Sequence, residues 1–183
     1  MIKDEYKNYP PACVIAFVVL RFLHEQGFWN FVRYKRTITR LFYECTKSIA
    51  SGWISEGALE APADETTADH YNLPQLLCYF LMDNWKKYCS NIKDFYKWWE
   101  FGSRTIKVRK KENTQLSGFS YNSKETGNLL RVSATPYDRY KLLGIVLTKK
   151  GAMDVIDTKT EPFPSCPLGE TYNKWVKENM MLT

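Results

Sequence analysis

The stretch NWKKYCSNIKDFYKWWEFGSRTIKVRKK, Asn84 to Lys111, decides how the chain is read, because its periodicity changes at a glycine. Leu77, Leu81, Trp85, Tyr88, Ile92, Phe95 and Trp99 recur every three or four residues, the spacing of one helix face. Asn72 and Pro74 open this pattern and Gly102 closes it, so one helix is predicted over 72–102, roughly 40 Å long at ~1.5 Å per residue. Beyond Gly102 the period becomes two. Ile106 and Val108 alternate with Lys107 and Arg109, the mark of a half-buried strand.

The same stretch holds seven aromatic and nine basic side chains, which raises two readings. Trp85, Tyr88, Phe95 and Trp99 lie on the apolar stripe and are expected in the core. Tyr96, Trp98 and Phe101 lie off it and are the candidates for an exposed stacking or interface surface, since bases stack only on exposed rings. Lys97, Arg104, Lys107, Arg109, Lys110 and Lys111 are candidate phosphate contacts, although lysine-rich strand edges also guard against aggregation.

Upstream, Pro10 and Pro11 suit the first turn of a helix through ACVIAFVVLRFLHEQ, and Gly27 suits its C-terminal cap. This helix is apolar almost all round, so it is expected to be buried on most sides at the centre of the core. A second helix follows through FWNFVRYKRTITRLFYECTKSIASG, with an apolar stripe at Phe31, Tyr34, Ile38, Leu41, Phe42, Cys45 and Ile49. Its other face carries Arg33, Arg36, Arg40, Glu44 and Lys47, a basic ridge. The pair could form a helix-turn-helix offering Asn30, Arg33, Tyr34 and Arg36 to a major groove, or a simple helical hairpin. Residues Trp53 to Tyr71 lack periodicity and collect acidic residues, Gly, Pro and Thr, which reads as an exposed loop.

Downstream, Leu129–Ala134, Lys141–Thr148 and Met153–Asp157 read as further strands, the last two joined by a turn at Lys149–Ala152. A Pro-rich run, EPFPSCPLG, precedes a short terminal helix from Glu170. The expectation is a single α+β domain of 183 residues, with an N-terminal three-helix portion packed on a small, mainly antiparallel C-terminal sheet. Its segments are a helical hairpin (1–52), an acidic loop (53–71), a long helix (72–102), a β-rich part (103–160) and a Pro-rich segment with the terminal helix (161–183).

Composition bounds the function. Apolar residues make up 44% and aromatics 15%, ample for a core, which excludes wholesale disorder. The net charge of +6 is concentrated after residue 70 and favours acidic partners such as nucleic acid. Five widely spaced cysteines form no CxxC or Cys/His cluster, so no metal site is expected and a reducing, intracellular compartment is. The longest apolar run, Ala12 to Leu20, is too short to span a bilayer, and neither a transmembrane helix nor a signal peptide is expected.

His24 and His70 stand in no nucleophile motif, and no GxGxxG or P-loop pattern is present, so no cofactor is expected. One segment, LLGIVLTKKGAMDVIDTKT (Leu142 to Thr160), resembles the core of PD-(D/E)xK nucleases of the RecB-like group. The resemblance implies a metal-binding carboxylate at Asp157 and a water-polarising lysine at Lys159. The acid that the family places in the preceding strand is missing from Gly144–Leu147, and Asp138, in the preceding PYD, is a candidate substitute from a different position.

The leading expectation is a non-enzymatic intracellular protein that engages nucleic acid or a nucleoprotein machine through Arg33, Arg36, Arg40, Lys47 and the Lys97 to Lys111 surface. The alternative is a structural or interaction subunit of a larger viral, phage or organellar assembly, or a homo-oligomer, whose aromatic excess forms protein interfaces. A metal-dependent nuclease, active or degenerate, is the third.

Overall fold

A computed structural model describes residues 4–46, 48–121, 136–149 and 167–180. The chain is α+β, with nine α-helices among the described residues and one four-stranded sheet. It divides into two compact units. A helical unit comprises Met1–Ile49 and Asn72–Arg104, and a sheet unit comprises Ala50–Tyr71 and Thr105–Thr183.

The helical unit begins with α1 (Pro11–Glu25), where Pro11 occupies the first turn as expected. Gln26 ends the helix, Gly27 follows in the left-handed region at φ 71°, and a 3-10 turn over Phe28–Asn30 leads into α2 (Val32–Cys45). The second helix is shorter than its sequence pattern predicts. Thr46 ends it in an extended conformation, its hydroxyl donating to the Tyr43 carbonyl at 2.6 Å, and Ile49 already belongs to the first strand.

The single long helix predicted over 72–102 is three: α4 (Pro74–Asp83), α5 (Trp85–Tyr88) and α6 (Ile92–Ser103). Asparagines cause both breaks. Asn84 donates its side-chain amide to the Phe80 carbonyl at the end of α4, and Asn91 accepts from the Asp94 amide as the N-cap of α6. Gly102 does not end the pattern either. It lies inside α6, where a Cβ would stand 2.6 Å from Leu77 Cδ2, so its role is close helix approach.

The helical core is aromatic. Phe17 of α1 contacts the rings of Trp85 and Phe95, and Phe42 of α2 meets Phe95 edge-on. The Trp99 indole donates to the Cys45 carbonyl at 2.9 Å. Trp85, Phe95 and Trp99 are buried, as their stripe predicts.

In the sheet unit the strands β1 (Ile49–Ser55), β2 (Thr66–His70), β3 (Arg104–Arg109) and β4 (Leu147–Lys149) lie in the order β2-β3-β1-β4. β2 pairs antiparallel with β3, Ala68 opposite Lys107, and β1 pairs antiparallel with β4, Ile54 opposite Thr148. The sheet is therefore drawn largely from residues 49–70, not from the C-terminal third alone. The predicted acidic loop is the end of β1, a one-turn helix α3 (Glu56–Leu59), a 3-10 turn and the edge strand β2. Ladder hydrogen bonds to β3 supply the order that local composition does not.

β3 matches its prediction, with Ile106 and Val108 buried and Lys107 exposed. At Lys110 the chain turns into α7 (Lys110–Tyr121), started by Glu112, whose carboxylate accepts from the Arg109 amide and the Ser55 hydroxyl. Lys141–Thr148 is not one strand. α8 (Pro136–Leu142) ends in a Schellman motif, with Ile145 N–H bonded to the Tyr140 carbonyl and Gly144 N–H to the Lys141 carbonyl, and only its last residues join β4. Gly144 has φ 66°, the left-handed conformation this cap requires.

The terminal helix α9 (Pro167–Met180) begins three residues earlier than expected. The strands expected at Leu129–Ala134 and Met153–Asp157 and the intervening turn beyond Lys149 lie outside the described residues.

Tyr71, Ile106, Val108, Leu116, Tyr140, Ile145 and Leu147 form the sheet unit's apolar cluster. Beside it lies a buried charge. Arg139, 2% exposed, donates to the Asp69 carboxylate at 3.2 Å and to the His70 and Tyr71 carbonyls, while the Tyr140 hydroxyl donates to the same carboxylate. Burial in the first place, then the Asp69 charge, pushes the Tyr140 pKa well up, so it remains a donor. The cluster ties α8 to the edge strand β2.

Candidate interaction surface

Helix α1, expected to be buried on most sides, leaves one apolar face open. Cys13, Ala16, Phe17 and Leu20 are buried, but Ile15, Val18 and Phe22 are 54%, 45% and 55% exposed. These three share a face at spacings of three and four. The rest of the helical unit covers the opposite side of α1. At the start of α2, Phe31 and Val32 are exposed as well, Val32 by 82%.

Between α1 and α2 runs a groove of about 330 Å³. Val19 and Leu23 wall it from α1, Phe28 from the connecting turn, and Tyr34, Ile38 and Leu41 from α2. The Thr37 and Tyr34 hydroxyls are the polar side-chain groups in the lining, so the groove offers ligands few hydrogen bonds. Val19 and Leu23 adjoin Ile15, Val18 and Phe22 on the helix surface, so apolar side chains run from the groove out onto the open face of α1.

The basic ridge lies along the same helix α2. Arg33, Arg36 and Arg40 are all exposed. Arg33 sits on a face turn above Thr37, its guanidinium 4.7 Å from the Tyr34 ring centre and 5.8 Å from that of Phe31. Arg40 is ion-paired with Glu44. Among the described residues no acidic partner is recorded for Arg33 or Arg36. Lys35 turns the other way, its ammonium 4.7 Å from the Trp29 ring centre.

No family model, curated protein or solved structure matches this chain. Its function therefore rests on the chemistry of these surfaces.

The remaining predicted residues are distributed as follows. Trp98 and Phe101 are buried, Trp98 at 2% exposure against Phe80, Tyr88 and Phe101, so the expected exposed aromatic trio reduces to Tyr96. Breaking the long helix at Asn84 and at Ser90–Asn91 lets α6 bury a broader face than one continuous stripe would. Tyr96 is half-buried between Tyr9 and Trp99.

Lys97 is exposed and bonded to Asp94 at 3.1 Å, and Arg104 is half-buried. Lys107, Lys110 and Lys111 are exposed in the sheet unit, on β3 and at the start of α7 rather than along one strand. Arg109 is half-buried and its Nε donates to the Gly57 carbonyl, a structural use. Lys47, Asp157 and Lys159 lie outside the described residues, as does the side chain of Asp138 in α8.

Three described cysteines and His24 are shaped by burial. Burial pushes the Cys13 thiol up to about 12 and raises the Cys78 and Cys89 thiols well above the ordinary cysteine range, the reverse of an activated nucleophile. His24 is half-buried with its ring 5.7 Å from that of Trp85, and burial followed by the Lys86 charge lowers its pKa. Among the described residues no three His, Cys, Asp or Glu side chains gather as a metal site, and no helix is long and apolar enough to cross a membrane.

The open α1 face is the feature of this surface that the sequence reading did not single out. Its signal was present: a helix apolar on every side, in a chain with few elements available to wrap it.

Proposed function

We propose that the chain is a non-enzymatic interaction protein whose helical unit docks a protein partner on the α1/α2 face. The observation that carries this reading is the continuity of Ile15, Val18 and Phe22, exposed on α1, with the apolar groove beside them. Contiguous apolar surface of this kind is costly to leave in water and marks association sites. Covering a fully exposed Val, Ile or Phe side chain contributes about 1.5–3 kcal/mol.

The test is selection of peptides from a random display library against the full chain, counter-selected with a Val18→Ser, Phe22→Ser variant. Enriched peptides that lose about tenfold or more in affinity on the variant support docking at this face. Enrichment indifferent to both substitutions would overturn it.

The second reading is nucleic-acid binding through the α2 ridge, favoured by the exposure of Arg33 and Arg36 without acidic partners among the described residues. Phosphate contacts release counterions, so binding of labelled RNA or DNA would fall steeply with salt and collapse in an Arg33→Glu, Arg36→Glu variant. Absence of binding at low salt removes this reading. The burial of Trp98 and Phe101 removes two of the three rings expected to stack bases.

A further inference from the structure

We infer that the occupant of the α1/α2 face is an amphipathic helix of another protein, with acidic side chains along the edge that meets Arg33 and Arg36. This inference rests on the docking reading above and specifies its partner.

Backbone chemistry selects a helix. The face is built from α1, α2 and the turn between them, whose backbone groups are largely bonded within their own helices, and it offers no strand edge. An extended peptide laid there would leave its own N–H and C=O groups unpaired. A helix brings its backbone bonds with it and needs only apolar anchors at spacings of three and four.

The shape and lining exclude other occupants. A nucleobase carries polar edges that require several hydrogen-bond partners, and beyond the Tyr34 and Thr37 hydroxyls the groove walls of Val19, Leu23, Phe28, Ile38 and Leu41 supply none. A single acyl chain would fit the groove but leave Ile15, Val18, Phe22 and Val32 uncovered. A helix is about 10 Å across and covers both the groove and its apolar shoulder.

Charge selects the partner's composition. α2 carries four basic side chains and one acidic residue, Glu44, which is already paired with Arg40. A second copy of the chain would set these cations against each other, which disfavours self-association through this face. Acidic side chains flanking an apolar stripe would pair with Arg33 and Arg36, whose guanidinium groups also bring low hydration and planar geometry to carboxylate binding.

The experiment uses the full chain and two synthetic helical peptides with the same apolar stripe, one flanked by Glu and one by Lys, with binding followed by fluorescence anisotropy. The Glu peptide is expected to bind about tenfold tighter or better, and the Arg33→Glu, Arg36→Glu variant to reverse the order. Val18→Ser, Phe22→Ser is expected to weaken both peptides, with circular dichroism confirming retained helix. Equal affinity of the two peptides, or unchanged order in the charge-reversed variant, overturns the inference. So does occupancy of the face by a fatty acid, by RNA or by a second copy in sedimentation. Library peptides that need Val18 and Phe22 but are neutral or non-helical would sink this inference and leave the docking reading standing.

Discussion

The two units solve burial in opposite ways. The helical unit packs an aromatic core and leaves apolar side chains of α1 in water, whereas the sheet unit takes a charged pair, Asp69 and Arg139, into its interior. The sheet unit also exposes Leu59 and Leu142, one on α3 and one on α8, and isolated apolar residues of this kind are ordinary on any surface. On α1 the exposed residues share one face and border a groove. The contrast teaches that arrangement, not the number of exposed apolar residues, sets the α1 face apart.

The sharpest way to break this comparison is at the core of the helical unit. Trp98→Ala should cost about 3–5 kcal/mol by opening a cavity among Phe80, Tyr88 and Phe101. Tyr96→Ala, at a half-buried position, should cost far less. Hydrogen exchange should show the loss in α4 and α6. Equal effects of the two substitutions would return Trp98 to the surface.

In the sheet unit, Asp69→Ala strands Arg139 without its counter-charge and should cost about 3 kcal/mol, the lower end for a broken buried pair because Asp69 keeps slight solvent contact. The readout is faster exchange of the β2 amides, Thr66 to His70. Unchanged protection there would show that the pair does not hold the edge strand.

Gly102→Ala gains helix propensity but drives a Cβ against Leu77, and a net loss of about 1 kcal/mol is expected in denaturant unfolding. A gain in stability would mean that α4 and α6 tolerate wider spacing. The smallest stability effect belongs to the proposed surface. Val18→Ser and Phe22→Ser should each change stability by only about 0.5 kcal/mol, as exposed positions do, while together weakening partner binding about tenfold or more.

Local signals made part of this fold legible. Pro11, Gly27 and the alternation at Ile106–Arg109 each act through neighbouring backbone, and α1, the hairpin turn and β3 appear where they point. The Arg33, Arg36, Arg40 ridge was legible too, because helix spacing alone places those side chains together. Three other features depend on competition between local and distant terms. Asn84 and Asn91 interrupt an unbroken apolar stripe by bonding backbone, and a stripe count is blind to that.

Gly144 could be a strand glycine or a helix cap, and the Schellman bonds to Tyr140 and Lys141 decide for the cap. β2 has no alternation of its own, TTADH, and owes its existence to β3. The exposed α1 face was hidden for a different reason. An all-apolar helix announces burial, but its sequence does not say whether its own chain or a partner provides the cover.

The most direct test of that last point is methyl NMR of the full chain titrated with a library-selected peptide. The docking account predicts shifts at Ile15, Val18, Val19, Leu23, Ile38 and Leu41, with Ile106, Val108 and Leu116 of the sheet unit unmoved. Shifts confined to the sheet unit, or none at the α1 and α2 methyls under saturating peptide, would contradict it.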